Sequence, residues 1–207
     1  MKKLLIALIF CTAMAHGEGL KGTGKSVDVT KFDVRGIKLG MSQEEALKII
    51  KGKFPAAKIQ EIPSDRWLSK LHGNKIFIRG LSIEIGKNEK FMVSFAPDLL
   101  NNKPEDLIVS GAGLSQPDGQ NSLEKLQKFA LESYGTPTFI NGKGGYPVGE
   151  EGYYWCVPSN YRVKCSEMSP QLNVQRTKNH ENDEIIISLN LVNMGLERLI
   201  LTLIQGK

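Results

Sequence analysis

Twice along this 207-residue chain a run with helical spacing gives way to runs with the two-residue period of strands, and that repeated switch limits the fold more than any composition figure. In the first instance, Ser42 is placed to cap a helix while Glu45 reaches back to its amide. Met41 can staple onto Ala46, Leu47, Ile49 and Ile50 give an apolar side, and Gly52 offers an end. Strand-like runs follow: Lys75 to Arg79 leading into Leu81 to Ile85, then Phe91 to Phe95, with breaks at Gly80 and at Gly86 to Lys90. The second helix begins near Asn121, has Glu124 three residues on, and carries Leu123, Leu126, Ala130 and Tyr134 at helical spacing before Gly135 and Pro137 stop it. After it, Ile185 to Val192 and Leu196 to Ile204 read as two β-rich runs joined at Asn193-Met194-Gly195 by a hairpin turn. The expected class is α+β, short helices packed on antiparallel sheets. The order suits two tandem helix-plus-sheet halves meeting near residue 115, residues 32–114 and 115–207.

The first fifteen residues, MKKLLIALIFCTAMA, read as a signal peptide. Lys2 and Lys3 precede a short apolar core, Leu4 to Phe10, and Ala13-Met14-Ala15 is an A-x-A site for cleavage after Ala15. The apolar core is too short to span a bilayer as a helix, and bulky Phe10 argues against lipidation at Cys11. The expected location is therefore periplasmic or secreted, with no membrane span. Export also makes the cysteines readable. Cys11 leaves with the signal, and Cys156 and Cys165 remain as a pair expected to be bonded across a short hairpin that has Pro158-Ser159-Asn160 at its middle. A zinc site would want more ligands than this pair offers, so neither metal nor cofactor is expected.

Residues 19 to 26, GLKGTGKS, match the phosphate-loop pattern G-x-x-x-x-G-K-[ST]. That pattern works only between a buried strand and a helix whose amides face the phosphates. Here a cleavage site precedes it and the poor helix formers Val27-Asp28-Val29-Thr30 follow. Residues 16–31 are expected to be a flexible leader, and no nucleotide is expected to bind. The formal charge of +5 includes both signal-peptide lysines, and what remains is too small and dispersed to argue for nucleic acid. With 41% apolar and 24% charged residues the composition is that of an ordinary globular protein.

Two stretches carry family resemblances. Residues 33 to 50, DVRGIKLGMSQEEALKII, resemble the opening of β-lactamase-inhibitory-protein-like and SmpA/OmlA-like exported domains, in which Gly36-Ile37-x-Leu39-Gly40-Met41-Ser42 is followed by a Glu-rich helix. Ser133-Tyr134-Gly135-Thr136-Pro137 is similar to a Tyr-Gly-x-Pro element of periplasmic proteins. The resemblance implies a small helix-plus-sheet module used for protein contacts, as an inhibitor or an envelope accessory. It carries no catalytic residue.

A search for chemistry gives little. The histidines are His16, His72 and His180, and neither G-x-S-x-G nor H-E-x-x-H occurs. The pairs Glu150-Glu151 and Asp183-Glu184 offer acid and base for a hydrolase, but in Gly- and Asn-rich surroundings adjacent carboxylates are usually solvated. One region does concentrate contact-forming side chains: Tyr146, Tyr153, Tyr154 and Tyr161 fall with Trp155 around Cys156. Tyr146, Tyr153, Trp155 and Tyr161 are the candidate binding residues, to be weighed against packing of the same aromatics beneath the second helix. The functional expectation is a protein-binding module whose partner is a protein or an envelope component. The alternative is a periplasmic hydrolase with a carboxylate or tyrosine site.

Overall fold

The computed structural model describes residues 22–119, 122–141, 151–159, 165–178 and 184–206. The described residues form four helices against an eight-stranded antiparallel sheet, an α+β architecture. In chain order the elements are α1 (Gln43–Lys53), β1 (Lys58–Pro63), α2 (Arg66–Leu71), β2 (Ile78–Glu84), β3 (Lys90–Asp98), β4 (Lys103–Pro117), α3 (Ser122–Tyr134), β5 (Phe139–Asn141), β6 (Glu151–Cys156), β7 (Gln171–Lys178), β8 (Ile185–Val192) and α4 (Met194–Gln205).

The strand order is β1-β2-β3-β4-β8-β7-β6-β5. Each half is thus a meander, and the two meanders meet where β4 pairs with β8, from Gly111↔Val192 to Pro117↔Ile186. The sheet runs unbroken through residue 115, which lies inside β4.

The α1 entrance forms as its sequence requires. The Glu45 amide donates to the Ser42 hydroxyl at 3.2 Å, and Ala46 and Ile50 are buried one turn apart. The helix passes through Gly52 and ends at Lys53, capped by the Phe54 amide on the Ile50 carbonyl. Upstream, Arg35 and Gly36 both have positive φ (56° and 83°), which makes a tight two-residue turn between Val34 and Ile37. Gly40, also at positive φ, then steers the chain onto the middle of β4, where its amide donates to the Val109 carbonyl and the Val109 amide donates to Met41. The Gly-Ile-x-Leu-Gly-Met-Ser stretch is therefore a docking turn that seats α1 against the sheet.

Two expectations are corrected. Residues 194–205 are helix α4, not the second strand of a hairpin. The Asn193 side chain accepts from the Leu196 amide at 3.2 Å, and Leu196, Ile200 and Ile204 recur every four residues on the packed side. An apolar run this dense satisfies either period, and the Asn193 cap decides it. Nor are residues 22–31 a free leader. The Thr23 and Gly24 amides donate to the carbonyls of Pro137 and Thr138, the Val27 amide donates to Cys156, and Val29 is buried in a short 3-10 turn. Residues 1–21, which include the expected signal peptide, lie outside the described residues. Helix α2, which the spacing did not suggest, is nucleated by Asp65, whose carboxylate accepts from the Trp67 and Leu68 amides at 2.9 and 2.8 Å.

The main core lies between α1, α3 and one sheet face, where Leu81, Ile83, Phe91, Val93, Leu172, Val174, Leu189 and Leu191 are fully buried. Opposite Ser94 and Phe95, β4 carries one extra residue, Ser110, and this bulge puts Ile108 on the other face beside Ala96, where both pack with Leu68 and Leu71 of α2 and Leu196 and Ile200 of α4.

Candidate functional site

Alternation along each strand gives the second sheet face a composition of its own. One row crosses all eight strands: Gln60, Ser82, Met92, Gly113, Asn190, Asn173, Tyr154 and Phe139 are paired neighbours. Beside it run Gly80, Ser94, Gly111, Val192 and Gln171, and on the other flank Glu84, Lys90, Ser115, Ser188 and Gln175. Helices α1 and α3 pack on the opposite face, and α2 and α4 meet this one only at its Ala96–Ile108 end.

Solvent-facing strands ordinarily carry long charged side chains. The central strands β4, β8 and β7 instead present Gly, Ser, Asn, Gln and Val here, and of these Gly111, Gly113, Asn173 and Ser188 are themselves buried among their neighbours. The amides are already organised: Asn190 Nδ2 donates to Asn173 Oδ1 at 3.2 Å and to Ser188 Oγ at 2.8 Å. Gly111 and Gly113 leave a shallow trough of about 180 Å³ along β4, lined by Met92, Ser94, Ser115, Asn190 and Val192. Met92 is 43% exposed at its edge. Short, uncharged, preordered groups cost little to desolvate, so this face is suited to close contact with another surface.

The aromatic candidates separate. Trp155 is 0% exposed and is a core residue: its Nε1–H donates to the Gly135 carbonyl at 3.0 Å, and its ring meets Tyr134 and Tyr153 edge-on at 6.1 and 6.3 Å. A contact by Trp155 with an outside partner is excluded by that burial. Tyr153 is half-buried against the same core, because residues 153 and 155 share the helix-facing side of β6. Tyr154, passed over in favour of its neighbours, lies on the open face with Phe139, beside Asn173. Tyr146 and Tyr161 lie outside the described residues. The Cys156–Cys165 disulfide is present, with Cα atoms 5.6 Å apart, and ties the end of β6 to the segment entering β7.

The described part of the phosphate-loop match, residues 22–26, does not have phosphate-loop geometry. The amides of Thr23, Gly24 and Val27 are spent on backbone carbonyls, and a three-residue 3-10 turn follows instead of an α-helix.

Two groups with catalytic potential, Asp98 and Tyr134, are engaged within the fold. A cavity of about 450 Å³ at the start of α1 is lined by Glu44, Asp98, Glu105 and Asp106. Asp98, its buried carboxylate, is engaged at both oxygens by Asn101 Nδ2, at 3.1 and 2.9 Å. Burial, with the Asp33 carboxylate nearby, pushes the Tyr134 phenol up to about 12, and its hydroxyl donates to the Asp33 carbonyl at 2.7 Å. Of the carboxylate pairs, Glu150 and Asp183 lie outside the described residues. Among the described residues no group of three or more His, Cys, Asp or Glu is placed to hold a metal ion, and no helix is long and apolar enough to cross a membrane.

Comparison with protein-family models, with curated proteins and with solved structures finds no match.

Proposed function

We propose that this chain is an exported binding protein that recognises a protein partner, or a protein component of the envelope, through the face of its sheet opposite α1 and α3, and that it catalyses no reaction. The observation that carries this reading is the row of uncharged side chains crossing all eight strands from Gln60 to Phe139. The resemblance of residues 33–50 to inhibitory and envelope-accessory modules points the same way. The hydrolase reading gains nothing from Asp98, which is engaged by Asn101, or from Tyr134, whose phenol is held protonated. Export, with cleavage after Ala15, is part of the proposal. The disulfide supports it, because such bonds persist in oxidising compartments.

The test compares variants in one capture experiment from envelope extract. Ser94→Arg and Gln175→Arg place a bulky charge on the open face, and Lys125→Glu alters the exposed outer side of α3. We expect the first two to lose a partner that wild type and Lys125→Glu both retain, at unchanged melting temperature. A partner held equally by all four proteins would overturn the face reading. Intact mass of the exported product should begin at His16, and a product still carrying residues 1–15 would overturn the export part.

A further inference from the structure

We draw no further inference here: the strongest candidate, the cavity of about 450 Å³ at the start of α1, owes its character to a cluster of acidic side chains, Glu44, Asp98, Glu105 and Asp106, whose buried member, Asp98, already accepts from Asn101, and nothing in the structure shows what would occupy it.

Discussion

Trp155 is the largest fully buried side chain of the protein, and it marks the residues on which the core closes. It stands between Tyr134 of α3 and Tyr153 of its own strand, and its indole N–H is satisfied by the Gly135 carbonyl. Trp155→Ala should therefore cost about 3–5 kcal/mol and lower the melting temperature by roughly 10 °C, read by thermal denaturation. An unchanged melting temperature would contradict the packing. Tyr134 gives a pH signature. Its folded pKa is raised to about 12, above the ordinary value of 10.0, because burial and the neighbouring Asp33 disfavour the phenolate. A raised folded pKa means a contribution fully present below pH 10 and lost as pH climbs through 10 toward 12. Wild type should lose more stability over that window than Tyr134→Phe, which has no proton to lose. Parallel melting curves for the two proteins across pH 9 to 12 would refute the assignment. At neutral pH the same substitution removes the hydrogen bond to Asp33 and should cost about 1 kcal/mol.

At the scale of elements, what the sequence made legible follows from how local each signal is. Helix α1 could be read from Ser42 and Glu45, because a cap is a contact between residues three apart. The Cys156–Cys165 bond could be read from parity and spacing. Helix α4 could not, since Leu196 to Ile204 is apolar at strand and helix periods alike, and only the Asn193 side chain and tertiary packing separate the two. The candidate face was hidden for a different reason. Its members come from eight strands, none is chemically conspicuous alone, and the register that aligns Met92 with Gly113 and Asn190 is a property of the assembled sheet. The conspicuous aromatics drew attention instead, and strand parity turned Tyr153 and Trp155 inward and Tyr154 outward. Two predictions belong here. Asn193→Ala should cost about 1 kcal/mol through loss of the cap, measured by chemical denaturation. Cys156→Ser with Cys165→Ser should cost about 2.5–3 kcal/mol by restoring loop entropy to the unfolded chain, and wild type should show no free thiol among these two positions under non-reducing conditions. A doubly substituted protein as stable as wild type would show that the covalent tie adds nothing to the fold.

The whole molecule is two helix-plus-meander halves sharing one sheet, and the links between them decide whether they act as one. The β4–β8 ladder joins them through the backbone, from Gly111↔Val192 to Pro117↔Ile186. Helix α4, last in the chain, packs against α2 and against Ala96 and Ile108 of β3 and β4. Thr23, Gly24 and Val27, which precede the first half, donate their amides to carbonyls at 137, 138 and 156 in the second. Phe32 packs at a tilt against Tyr134, 4.9 Å between centroids, next to the Tyr134–Asp33 hydrogen bond. Neither half can unfold without exposing the apolar face of the strand it lends to the other, since Ala112 and Leu114 of β4 lie beside Leu191 and Leu189 of β8 in one continuous core. Unfolding should accordingly be a single cooperative transition. Ile83→Ala in the first half and Leu189→Ala in the second should each cost about 2–5 kcal/mol and move that one transition. Calorimetry that resolves two transitions, with each substitution shifting only its own, would mean that the seam at β4 and β8 is a contact between independent units. A binding face that spans all eight strands could not then be held in one shape.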